Sequence, residues 1–341
     1  MKPRLGLATA MVAGFLAGTA GAEARLLDWS DLHGWEQDDH AAALSVFRET
    51  CRDMTEGDWP AICALADKGD ARTFFETFFR PVMITDGDDP LFTGYYEPEL
   101  AGSRTRSARF STPLYRLPDD APQGEPWLTR EELLTTGALE NRGLELAWVE
   151  DPVEKFFLQI QGSGRIRLED GGSIRVGYGG KNGHPYRSIG MELVRRGVFE
   201  DHQVSAQVIR NWVREHPEDG VALLYHNPSY VFFREVTQVP PDKGPLGAMN
   251  RSITAGRSIA IDPEFVPLGA PVWLEKDGAA PIQRLMVAQD TGSAIKGAQR
   301  ADIFYGTGAE AGREAGRIRD TGRMVVLLPI DDALAVLDAN P

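Results

Sequence analysis

The spacing of apolar positions changes character at Leu91. Before it, Asp38 to Arg52 and Asp70 to Phe79 repeat apolar residues every three or four positions, which predicts two helices. In the second, Phe75, Phe78 and Phe79 fall on one face and read as a core stripe. After Leu91 the apolar runs shorten and Gly, Pro and Asp punctuate them. Phe92 to Tyr96 reads as a strand ended by Pro98. Glu154 to Gln161 has the apolar density of another, closed by Gly162-Ser163-Gly164. Ile166 to Leu168 and Ser173 to Tyr178 flank Asp170-Gly171-Gly172, a hairpin signal. Ser188 to Arg196 and Ser205 to His216 are expected helices, the second stopped by Pro217, and Tyr230 to Val236 is an expected strand. Val239 to Pro245 is the clearest linker. Beyond it lie five short apolar runs: Ser258–Ile261, Pro271–Leu274, Arg284–Ala288, Ile303–Tyr305 and Met324–Leu328. Short strands at such close spacing predict a β-barrel or sandwich.

Composition narrows the functional classes. With 341 residues the chain is long enough for two domains, and 36 Gly and 22 Pro suit many turns better than a helix bundle. The formal charge of −14 lacks the basic footprint of a nucleic-acid binder. Lys2 and Arg4 precede the mostly apolar stretch Leu5–Leu16, and Ala20-Gly21-Ala22 reads as a cleavage site. Residues 1–22 are therefore expected to be an export signal. No cysteine follows the apolar stretch to accept a lipid, so the mature chain is expected to be soluble in the periplasm. In that oxidising setting the only two cysteines, Cys51 and Cys63, are expected to form a disulfide.

Most chemical motifs are missing. There is no HExxH, and the six histidines are scattered, so a metal site is not expected. No GxSxG is present, and Gly179-Gly180-Lys181-Asn182-Gly183 lacks the ending of a phosphate-binding loop. Nothing calls for a cofactor. What remains is three aspartates beside apolar strands: Asp262 after Ser258–Ile261, Asp290 at the end of Leu285–Gln289, and Asp302 opening Ile303–Tyr305. Each could simply cap its own turn. Alternatively, two carboxylates held close separate their pKa values, and one stays protonated to act as a general acid. Cleaving an acetal needs such a proton donor.

These residues carry a family resemblance. Phe92-Thr93-Gly94-Tyr95-Tyr96-Glu97-Pro98, Pro113-Leu114-Tyr115-Arg116, Phe157 to Gly164, Tyr178 to Gly190 and Asn227 to Phe233 occur in order. Gly256 to Asp262 and Gln289 to Gly297, running into Asp302, complete the series. In this series the sequence resembles the membrane-bound lytic murein transglycosylase A family, including its C-terminal three-aspartate domain. The resemblance implies a mainly β fold with peripheral helices. It would be a double-psi β-barrel from residues 23–98 and 240–341, with a smaller β-domain, 99–239, inserted, and a long groove between them for a glycan. It implies Asp302 as catalytic acid and base, Asp290 as a supporting carboxylate, and Asp262, Tyr95, Gln161, Ser163 and Lys181 as substrate contacts.

The implied reaction cleaves peptidoglycan between N-acetylmuramic acid and N-acetylglucosamine and leaves a 1,6-anhydro end. Asp290 would raise the pKa of Asp302 by like-charge repulsion. Arg165, Arg167, Arg175, Lys181 and Arg187 read as solvated surface, with stem-peptide carboxylates as the alternative. Two other functions stay open: a hydrolase using Asp290 as base, and a non-catalytic glycan-binding module. Protein partners, including cell-wall enzyme complexes, are left unassigned.

Overall fold

The structure, a computed structural model, describes residues 22–339 apart from Gln123 and residues 241–242. The expected export signal, apart from Ala22, and two residues of the expected linker lie outside the described residues. Among the described residues fifteen strands follow in chain order. They are β1 Glu23–Leu26, β2 Phe79–Thr85, β3 Leu91–Glu97, β4 Glu99–Ser103, β5 Thr112–Tyr115, β6 Glu145–Val149, β7 Gly164–Leu168 and β8 Ser173–Lys181. After them come β9 Val231–Glu235, β10 Ser258–Ile261, β11 Pro271–Lys276, β12 Ile282–Thr291, β13 Arg300–Thr307, β14 Arg319–Asp320 and β15 Gly322–Pro329.

Nine of them form one sheet in the order β1-β2-β15-β11-β12-β10-β13-β3-β14, a nearly closed barrel. The other six form a second sheet, β5-β6-β4-β7-β8-β9. The fold is thus mainly β with helices, as expected. By compactness the chain divides into two units. The first holds residues up to Thr93, Gly247–Phe304 and from Arg319 onward; the second holds Gly94–Leu246 and Tyr305–Ile318. The division falls inside β3 and inside β13.

In the first unit, β11 and β15 are buried almost throughout, which is why their sequences read as continuous apolar runs rather than alternating ones. The helices α1 His40–Cys51, α2 Trp59–Cys63 and α3 Ala71–Phe78 precede this sheet in the chain. Asp39 and Asp70 cap α1 and α3, each accepting from a backbone N–H three residues on, at 3.0 and 2.9 Å. Phe79 is not part of the expected helical stripe: it opens β2, and Phe74 and Phe75 are the buried faces of α3. Cys51 and Cys63 are joined in a disulfide.

In the second unit, Glu154–Gln161 is not a strand. It lies within α5, Pro152–Gln161, which follows α4, Arg130–Thr135. The helix is apolar on several sides because it packs into two clusters. Val153, Phe156 and Phe157 join one and Leu158 the other. That all-round burial mimics the density of a buried strand. The caps are helical: Asp151 accepts from Val153 N–H at 2.7 Å, Pro152 is at the first position, and Gly162 ends the helix at φ +77°.

Candidate active site

Three strands of the barrel set the geometry of the aspartates. β10 lies between β12 and β13, parallel to the first and antiparallel to the second. Ala260 of β10 is in register with Asp290 on one side and with Asp302 on the other. Two strand spacings therefore separate the aspartate Cα atoms, about 10 Å. Asp302 is the third residue of β13 rather than its opening residue.

Asp302 is part-buried, and its immediate partners come from β3 and its own strand. Thr93 Oγ1 donates to Asp302 Oδ1 at 2.7 Å. Arg300 Nη2 donates to the same Thr93 oxygen at 2.9 Å, while Nη1 donates to the Ala301 carbonyl at 2.6 Å. Because Arg300 fills the acceptor side of the Thr93 hydroxyl, the hydroxyl proton is left for Asp302. Burial pushes the Asp302 carboxyl up to about 6, and the Thr93 hydrogen bond and the Arg300 charge pull the other way without winning. The expectation of like-charge repulsion as the main cause is corrected: desolvation by burial is the largest cause of the rise. Asp290 Oδ1 instead accepts from the backbone N–H of Ala248 and of Thr291, at 3.0 and 2.9 Å.

Asp262 is 1% exposed, and its oxygens are committed to the loop after β12. Oδ1 meets Lys296 Nζ at 3.0 Å, and Oδ2 accepts from Gly297 N–H at 3.0 Å. It therefore fixes the chain that leads into β13. Gln299 does the same from inside, its amide bridging β2 and β15 through Ile84 and Met324.

Tyr95, Gln161, Ser163 and Lys181 belong to the second unit. Gln161 Oε1 accepts from Tyr96 N–H at 3.0 Å, which ties the end of α5 to β3 next to Tyr95. Ser163 directly precedes β7, where Gly164 is in register with Val176 of β8. Lys181 lies five residues beyond Val176 on β8, so the structure does not group it with Ser163; the strand rise puts about 16 Å between Val176 and Lys181. Lys181 is exposed. One of the arginines expected on the surface, Arg175, is buried, and Arg165 is part-buried. Arg175 is 8% exposed, and both Arg165 and Arg175 bind Glu97, which is fully buried. Thr307 Oγ1 donates to the same carboxylate at 2.7 Å.

Thr93 and Arg300 are the residues that the pattern did not single out. Thr93 sits inside a motif in which Tyr95 is the more conspicuous side chain, and an arginine in a strand reads as solvated.

Residues 91–234 match the model of the MltA specific insert domain, and residues 257–328 match that of the 3D domain. The chain is 34% identical to the membrane-bound lytic murein transglycosylase A of Vibrio cholerae, over 83% of its length and 76% of that protein. The chain belongs to the membrane-bound lytic murein transglycosylase A family. It is 39% identical to the Escherichia coli member over 246 residues, spanning 65% of that relative. Its fold is similar to the crystal structure of a membrane-bound lytic murein transglycosylase from Agrobacterium tumefaciens. The TM-score is 0.82 at 32% identity, covering 92% of this chain and 99% of that one. The Escherichia coli protein crystallised with bound chitohexaose gives 0.72 at 29% identity, covering 92% and 96%. Among the described residues no helix is long and apolar enough to cross a membrane.

Proposed function

We propose that the protein is a peptidoglycan lytic transglycosylase that cleaves the β-1,4 bond between N-acetylmuramic acid and N-acetylglucosamine. The observation that supports this best is the Asp302 carboxyl, raised to about 6 within a family named for that activity. A carboxyl in that range is partly protonated near neutral pH and can both give and take a proton.

In the first step Asp302 protonates the glycosidic oxygen, and the bond to the muramic acid anomeric carbon breaks. Thr93 holds Oδ1 as an acceptor, so the mobile proton rides on Oδ2. In the second step the C6 hydroxyl of the same sugar attacks the cationic carbon. Asp302, now a carboxylate, removes that hydroxyl's proton, and a 1,6-anhydro ring closes. The nucleophile is already part of the substrate, so proximity replaces a second catalytic carboxylate.

Asp290 has a narrower proposed role: a fixed negative charge that favours the cationic sugar. Asp262 acts by positioning the loop. Tyr95, Ser163 and Lys181 are proposed as glycan contacts of the second unit, with Gln161 orienting β3. A relative binds chitohexaose, and an amino-sugar strand is the ligand class proposed here. The chain is proposed to work in the periplasm.

The test uses purified murein sacculi. Wild-type protein should clear turbidity and release fragments that have gained no water, whereas a hydrolase would add 18 mass units per cut. Activity should fall about tenfold per pH unit above 6 as the acid form is depleted. Asp302→Asn should lose at least about a thousandfold in turnover while still binding sacculi. A near-wild-type rate in that variant defeats the assignment.

A further inference from the structure

Lys155 is a buried charge that the proposed reaction does not use. It sits midway along α5, 5% exposed. Among the described residues no carboxylate pairs with it. Its Nζ instead lies 5.4 Å from the ring centroid of Tyr115 and 5.3 Å from that of Tyr230. Beside it is a second cation, Arg130, 3% exposed. Arg130 spends its donors on the Asn227 and Ser229 carbonyls, at 3.1 and 2.6 Å, and on Gln159 Oε1 at 2.6 Å. Among the described residues it too has no carboxylate partner. Two buried cations without an anion are costly. Burial, with Arg130 adding to it, pulls the Lys155 ammonium down to about 7.

Both cations line one cavity of about 660 Å³ that lies wholly in the second unit. Leu133, Leu139, Trp148 and Phe156 form much of its wall. Leu134 and Val221, also lining it, are 41% and 47% exposed. Large apolar side chains left in water around an opening mark a place where something apolar docks.

We propose that this cavity binds an organic monocarboxylate, its charge on Lys155 Nζ and its apolar body along Leu133, Leu139 and Trp148. The charge count favours a monoanion over phosphate. Arg130 has already committed most of its fork to carbonyls, so of the two buried cations Lys155 offers the free donors. Glu140 and Glu145 also line the cavity and repel a polyanion. This site stands apart from the reading of Asp302.

Calorimetric titration of the intact protein with 4-phenylbutyrate, its neutral amide and inorganic phosphate tests it. The carboxylate should bind at least about tenfold tighter than the amide. Lys155→Met should erase that difference, and phosphate should not bind. At pH 8 binding should take up a proton, read from the dependence of heat on buffer. The charged and titratable groups around Lys155 are Arg130, Arg106, Tyr115, Tyr230, Glu145, Glu140 and Tyr225. Equal affinity for carboxylate and amide, undiminished carboxylate binding by Lys155→Met, a preference for phosphate, or no carboxylate binding would each overturn the proposal. Lys155→Met removes a buried charge and should fold. Should it not, Val221→Glu at the exposed mouth should weaken the carboxylate and spare the amide, and equal effects on both would overturn it as well.

Discussion

Asp302 gains its acidity range from where it sits, which makes its charge a cost to the fold. Its folded pKa is about 6, above the ordinary 3.8 it would have in the unfolded chain. The folded state therefore holds the proton more tightly than the unfolded state. Stability is highest below pH 4 as far as this group is concerned, falls as pH rises from 4 to 6, and stays reduced above that. A rise of this size corresponds to roughly 3 kcal/mol at most. Asp302→Asn keeps an acceptor for Thr93 but cannot ionise. We expect the variant to unfold at higher urea concentration than wild type at pH 8, with the gap closing at pH 4. A gap that does not change with pH would mean that burial is not what raises this carboxyl. The residue types of this site were partly visible in the sequence. The aspartates stood out because Gly and apolar neighbours framed them. Arg300 did not, since its role depends on β3 arriving beside β13, a pairing that no local pattern encodes.

At the scale of elements, α5 departs furthest from what its apolar pattern predicts. Helix and buried strand both appear as dense apolar runs, and the ends decide between them. Here the ends are Asp151-Pro152 and Gly162, a helix start and a helix stop. Asp151 does two jobs: Oδ1 caps the helix, and Oδ2 accepts from Arg214 at 2.7 Å. Asp151→Ala should cost about 1 kcal/mol or slightly more in urea unfolding, whereas Asp151→Asn, which keeps a capping oxygen, should lose only the exposed ion pair, a few tenths. Equal losses would assign the effect to the ion pair. The barrel strands were read closely because runs such as Ser258–Ile261 are buried along their whole length and bounded by Gly or Pro. Their order in the sheet was a different matter, because register and neighbours depend on contacts far apart in sequence.

At the scale of the molecule, the chain passes from one compact unit to the other four times, after Thr93, Leu246, Phe304 and Ile318. The passages near Pro98 and Pro240 carry Pro-rich signals in the sequence. The short return of residues 305–318 carries none, and its place follows only from packing. Within the second unit this segment is close-fitted: a Cβ on Gly94 would meet Ala315 Cα at 2.8 Å and the Tyr305 ring at 2.9 Å. One on Gly312 would meet the Tyr96 ring at 2.7 Å. Thr307 also supplies one of the donors that satisfy buried Glu97. Removing 305–318 from this unit would leave the Glu97 carboxylate with its two arginines but one hydrogen bond short, and would open β3 to water. A fragment of residues 94–246 should therefore keep the protection of its inner sheet, β7 and β8, in amide hydrogen exchange. Residues 94–97 should exchange faster in the fragment than in the full chain by at least about tenfold, because local opening there no longer has to displace packed side chains. Unchanged protection at 94–97 would mean that the short return merely rests on this unit and takes no part in holding it.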